Sequence, residues 1–387
     1  MALPPLSRTP EEWKETLSGW GSRAFHAKQI FRWIHARGVT TPDGMTDLPA
    51  PLREKLREDG VGERVRLTTE RRSSDNTRKL LFSLEDGASI ESVLIPSSRG
   101  PKPDGASPAE EDADAAAAVD DEDEDQGPAP EPFVRVTQCI STQVGCAMGC
   151  VFCASGVAGW KRHLGADEIV AQVLAGRARL DPNERLRNVV YMGMGEPLHN
   201  YDSTLRSLKL LTHPDGVSLS PRRITVSTSG LVPEIARLGA DFNGQMGLAL
   251  SLHAADDETR TKLMPINKKY PLAVLMDALR AYPLPKRRRI TIEYTLVAGR
   301  NDSVAEAQKV ARLLRGIPVK VNLIPMNPIE ASTLGPPDFA SVLMFQQVLC
   351  DAGYSCFIRR RRGDDVSAAC GQLALLGAKP KVRVNRS

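Results

Sequence analysis

From residue 133 to residue 325 the chain alternates between short β-branched apolar runs and amphipathic helical runs, and this alternation limits its fold more than any other feature. The strand candidates are FVRVTQ, NVVYMGM (188–194), RITVSTS (223–229), GLALSLH (247–253), RITIEYTLV (289–297) and VKVNLIP (319–325). Helical runs lie between them. ADEIVAQVLAGRARL puts Ile169 and Val173 on one face, and SVAEAQKVARLLRG opens with Ser303 and Glu306 as a capping box. Strands joined by helices need right-handed crossovers and a parallel sheet, which predicts an α/β fold of the partial (β/α)6 barrel type. Chemistry in such a sheet belongs at the carboxyl ends of the strands, and the unusual residues fall there: a cysteine-rich loop, GMGEP, STSG, SLHA and PMNP.

The flanks differ in character. Residues 1–62 read as a small helical domain, with Phe25, Ile30, Phe31 and Ile34 spaced along one face and a further helix in APLREKLRED. Residues 63–97 read as a short β-rich linker with turns at SSDN and EDG. Residues 98–132 hold an acidic insertion with hardly any large apolar residue, a composition that cannot offset its ordering entropy, so disorder is expected. The core is expected over 133–373, with a basic tail over 374–387.

Charge is unevenly spread. The formal net charge is +4, yet residues 101–132 carry twelve Asp/Glu against one Lys, so the rest of the chain holds +15. A basic body suits an anionic partner such as RNA, and the runs KRRR (286–289) and RRRR (359–362) and the tail KPKVRVNR fit that partner. Ion pairing within the protein is the competing use of the two Arg runs. No apolar run approaches the ~20 residues of a membrane span and the amino terminus lacks signal-peptide regions, so a cytoplasmic protein is expected.

Seven cysteines, four of them in CISTQVGCAMGCVFC, do not read as a disulfide framework. Cys146, Cys150 and Cys153 form C-x3-C-x2-C on a loop after the first barrel strand. Three thiolates there can hold an iron-sulfur cluster with one iron left open, or a zinc ion completed by a remote His or Cys. Cys350 and Cys356 read as buried small apolar residues.

The C-x3-C-x2-C loop with Phe152 before its last cysteine resembles the radical S-adenosylmethionine (SAM) superfamily. With NVVYMGMGEPLHNYD, ITVSTSGLVP, SLHA and RRGDDVSAACGQL, the chain further resembles the RlmN family of RNA adenine-C2 methyltransferases over nearly its whole length, the acidic insertion being the departure. The resemblance implies a radical SAM barrel and a 4Fe-4S cluster on Cys146, Cys150 and Cys153. It also implies SAM contacts from Gly195, Glu196, Ser227, Ser251, Leu252, His253 and Asn327.

It implies further roles for three residues. Cys370 would carry a methyl group, Cys139 would resolve the intermediate through a transient disulfide with Cys370, and Glu91 would be the proton acceptor. The implied partners are 23S ribosomal RNA, tRNA, a low-potential electron donor of flavodoxin type and a thiol reductant, with a monomeric protein. Two other readings stand beside it: a C8-methylating relative, and a metal-containing RNA-binding protein without catalysis.

Overall fold

The computed structural model describes residues 3–97, 133–329, 332–359 and 362–373. The predicted acidic insertion and the basic tail therefore lie outside the described residues, as do Arg360 and Arg361.

All six predicted barrel strands form: β4 (Val134–Cys139), β7 (Glu184–Tyr191), β8 (Ile224–Thr228), β9 (Gly247–Ser251), β10 (Ile290–Leu296) and β11 (Val319–Pro325). They lie side by side in chain order and all run parallel. A further parallel strand, β12 (Ser355–Ile358), pairs with β11 at the far edge. Two short strands, β5 (Gln143–Gly145) and β6 (Trp160–His163), pair separately and enclose the cysteine loop. Inward-facing residues such as Leu250, Ile292, Val321 and Leu323 are fully buried, as strands covered on both faces require.

The 63–97 segment adds three antiparallel strands to the same sheet rather than forming a separate one. These are β1 (Arg66–Arg72), β2 (Arg78–Ser83) and β3 (Ser89–Pro96), and β3 pairs with β4 so that Val93 faces Cys139. The result is one ten-stranded sheet whose order runs from β1 to β12 without ring closure among the described residues.

The amino-terminal helices are Pro10–Gly19, His26–Phe31 and Ala50–Glu58, gathered around Trp13, Leu17, Ile30, Phe31 and Ile34. Phe25 departs from the predicted face: it precedes the first turn of its helix and is 57% exposed. This unit docks on the core through Arg177, which donates to the carbonyls of His35 and Ala36, and through Arg206, which donates to Ser7 O. Ser303 caps its helix as predicted by accepting from Glu306 N, but the Glu306 carboxylate pairs with Lys309 instead of completing a box. No helix among the described residues is long and apolar enough to cross a membrane.

Candidate active site

One open-mouthed cavity sits at the carboxyl ends of the parallel strands. Cys146, Cys150, Cys153 and Cys370 all line it, with Gly195, Glu196, Ser227, Ser251, His253 and Asn327. Leu252, Glu91 and Cys139 do not line it. Leu252 is wholly buried, its side chain in the hydrophobic core and its N–H donating to Glu293 O.

The glycine-rich turn after β7 is fixed by close approach. Gly195 has φ +104°, and a Cβ there would stand 2.6 Å from the Gln143 side chain. The Glu196 N–H donates to Gln143 Oε1 at 2.9 Å, while its carboxylate accepts from Leu198 N at 3.1 Å and Ser229 N at 2.7 Å. Burial pushes the Glu196 carboxyl up, and these N–H groups oppose it. A buried carboxylate facing the cavity is well placed for a cationic amino group.

His253 has φ +57° and accepts from Thr295 N at its Nδ1, which puts the proton of the neutral ring on Nε2. Burial drives its pKa down to about 3, so it is an uncharged donor at neutral pH. Phe152 packs edge-on against it, ring centroids 4.7 Å apart, which ties the cysteine loop to the end of β9.

Sequence reading missed Arg260, which lies within the helix Asp257–Leu263 and is fully buried. Its guanidinium donates to the carbonyls of Ser229, Ser251 and Leu252 and to Asn267 Oδ1. One cation thus fixes the ends of two adjacent strands. Burial lowers its pKa to about 10, so it remains charged.

All seven cysteines are free thiols. Burial, then Cys153 and Glu196 nearby, push Cys146 up to about 12, and Cys150 and Cys153 are raised by burial and by their thiol neighbours. Thiols with pKa values raised in this way stay protonated unless a cationic centre draws off their protons. Cys146, Cys150 and Cys153 bring three soft donors to one cavity, a donor set that fits an iron-sulfur cluster.

Cys370 sits on a loop fastened at both ends. Its carbonyl accepts from Asn327 Nδ2 at 2.9 Å, and Gly371 O accepts from Ala154 N at 2.8 Å, beside Cys153. On the other side the loop docks on the turn between β1 and β2. Ser73 Oγ and Ser74 N donate to the Asp365 carboxylate, and Gly363 N donates to Asp75 Oδ2 at 3.1 Å. Cys139 is buried at the end of β4; burial foremost, then Cys370, raise its pKa to about 12, against the Arg359 guanidinium and the Met192 N–H. Glu91 is fully buried on β3 and forms an ion pair with Lys79, Nζ to Oε1 2.9 Å.

Cys356 is buried as predicted, but Cys350 is exposed, because the last turn of the helix Phe339–Asp351 turns it outward. In the basic runs, Arg288 donates to Gln245 O and Arg289 to Ser355 Oγ, whereas Lys286 and Arg287 are exposed. Arg359 lines the cavity 3.7 Å from Glu293.

The chain matches two known families: the Radical SAM superfamily over residues 140–314 and the ribosomal RNA large subunit methyltransferase N-terminal domain over residues 6–61. It is 70% identical over 384 residues to the dual-specificity RNA methyltransferase RlmN of Sorangium cellulosum, covering 98% of each chain. It is 44% identical to the RlmN of Geobacter sulfurreducens, over 94% of this chain and 89% of that protein. Among solved structures, a radical SAM methyltransferase from Sphaerobacter thermophilus aligns with a TM-score of 0.83 at 40% identity, covering 96% of this chain and 99% of that one.

Proposed function

The chain belongs to the RlmN family of radical SAM RNA methyltransferases, and from that premise we propose that it methylates C2 of adenosine in 23S ribosomal RNA and tRNA, with Cys370 as methyl carrier. The observation that carries this reading is that Cys370 lines the same cavity as Cys146, Cys150 and Cys153 and lies near enough to buried Cys139 to help raise its pKa. A lone catalytic metal site would not need two further thiols beside it.

C2 of adenine is an electron-poor carbon and offers no nucleophile for polar methyl transfer. Cys370 first takes a methyl group from SAM by displacement. Cys146, Cys150 and Cys153 would hold a 4Fe-4S cluster, which together with SAM would supply a 5′-deoxyadenosyl radical. The S-methyl group of Cys370 gives a hydrogen atom to that radical, forming 5′-deoxyadenosine, and its methylene radical adds to C2, linking protein to RNA. The adduct passes one electron to the oxidised form of the electron-transfer partner, and Glu91 accepts the C2 proton. Cys139, as thiolate, attacks the sulfur of Cys370, the carbon–sulfur bond breaks, the freed carbon takes up a proton to become the methyl group, and the disulfide that forms is reopened by a thiol reductant.

Gly195 and Glu196 are suited to the amino group of SAM, and Ser227, Ser251, His253 and Asn327 to its remaining polar edges; Leu252 would contribute its backbone. The adenosine must be presented unstacked, since C2 is closed off within a helix. Basic residues such as Lys286 and Arg287 are available to phosphates, an electron donor of low potential is required, and a cytoplasmic monomer agrees with this activity.

The test is a pair of variants of the iron-loaded enzyme. Cys370→Ala should abolish RNA methylation yet still cleave SAM, and Cys139→Ala should accumulate a covalent protein–RNA adduct. A Cys139→Ala enzyme that turns over normally would remove the resolving step from the mechanism.

A further inference from the structure

Lys79 stands on β2 with its ammonium buried, 3% exposed, beside a fully buried Glu91. Cross-strand register places Lys79 opposite Val93, Val93 opposite Cys139, and Glu91 two residues along β3 from Val93. Side chains two apart on a strand share a face, so Lys79, Glu91 and Cys139 project to the same side of the sheet. The Lys79 ammonium bridges two elements. Nζ lies 2.9 Å from Glu91 Oε1 and donates to the carbonyl of Ser367, also at 2.9 Å, three residues before Cys370.

Ser367 is itself held in the left-handed region, φ +52°, a conformation that costs a non-glycine residue energy and needs outside support. Nearby, Gly363 at φ +63° packs so closely that a Cβ would come within 2.9 Å of Thr77 and 2.7 Å of Ala368. The hairpin of β1 and β2 is therefore a cradle for the Cys370 loop, and Lys79 is one of its buried contacts. An apolar residue would fill this buried strand position at lower desolvation cost than an ammonium.

We propose that Lys79 is a positioning residue that sets the Glu91 carboxylate against the loop carrying Cys370, so that proton removal and methyl carriage occur in one registered geometry. The inference rests on Glu91 being the proton acceptor. In the step it serves, the linked adenine has given up one electron to the oxidised electron-transfer partner, its C2–H bond breaks, the electron pair of that bond stays with the ring, and the proton passes to a Glu91 oxygen. Lys79 exchanges no proton; it fixes the carboxylate to the loop that presents the adduct. A displacement of about 1 Å at such a contact can slow a step ~100-fold.

The experiment uses iron-loaded full-length enzyme, SAM, reductant and an RNA hairpin whose target adenosine carries hydrogen or deuterium at C2. Lys79→Met should slow Cys370 methylation no more than roughly tenfold by intact-protein mass, yet release product ~100-fold more slowly, accumulating adduct and developing a primary isotope effect from C2 deuterium. Lys79→Arg should recover part of the release rate. A Lys79→Met enzyme that releases product at the parental rate would overturn the inference. So would one that loses Cys370 methylation in parallel with release, since Lys79 would then only support the loop. Glu91→Gln run alongside separates the two readings. If it traps adduct while Lys79→Met does not, only the role of Lys79 fails; if it turns over normally, the proton-acceptor assignment fails and the inference with it.

Discussion

The side-chain amide of Asn327 donates to the carbonyl oxygen of Cys370 at 2.9 Å, linking the end of the sheet to the loop that carries this thiol. Asn327 also lines the cavity, so under the proposed function one residue would serve SAM and the methyl carrier together. Replacing it by Ala removes a bond worth about 1 kcal/mol, and the loosened loop should slow Cys370 methylation roughly tenfold. Timed intact-protein mass spectra with SAM would show it, and an unchanged rate would reduce the contact to bystander status.

Gly195→Ala should abolish SAM cleavage while iron content stays at the parental level. The added Cβ meets Gln143 at 2.6 Å in a backbone conformation L residues avoid, so the turn that presents Glu196 must shift. Iron and sulfide assays beside 5′-deoxyadenosine release separate the two effects.

Arg260→Met removes the guanidinium from the carbonyls of Ser229, Ser251 and Leu252 in a buried site, and of these Leu252 O keeps the Ala254 N–H. At about 1–3 kcal/mol for each orphaned group, partly relieved by relaxation, a loss of about 3 kcal/mol in stability is expected. Urea unfolding of the variant should move to a lower midpoint, and SAM affinity should fall with it.

His35 is buried where the amino-terminal unit meets the core, with neither ring nitrogen hydrogen-bonded, and burial, reinforced by His213, lowers its pKa to about 3. The unfolded chain holds a proton on this residue below its ordinary pKa of about 6.5 and the folded chain does not. Its contribution is therefore intact above pH 6.5 and is lost as pH falls towards 3. His35→Leu should flatten the fall in unfolding free energy over that window by up to about 1.4 kcal/mol per pH unit. Denaturation curves at pH 7 and pH 5 would test this, equal slopes for parent and variant being the contrary result.

The six strands of the core were legible because β-branched runs such as RITIEYTLV repeat between helices, and the cluster loop because C-x3-C-x2-C has few competing uses. β12 was not, since SCFI is four residues long beside a run of arginines and gains its strand character from pairing with β11. Lys79 and Arg260 escaped notice for one physical reason. A Lys in a strand and an Arg in DETRTKL have the spacing of solvated residues, and only tertiary packing buries them against carbonyls and a carboxylate. Phe25 and Cys350 failed in the opposite sense, each apolar enough for the core yet placed at a helix end that turns outward.

The central claim is methylation at C2, and the most direct measurement is mass spectrometry of nucleosides from 23S ribosomal RNA and tRNA of a strain lacking its own enzyme and expressing this one. The account predicts 2-methyladenosine in both RNAs, absent when Cys370 is replaced by Ala. Recovery of 8-methyladenosine instead would contradict it.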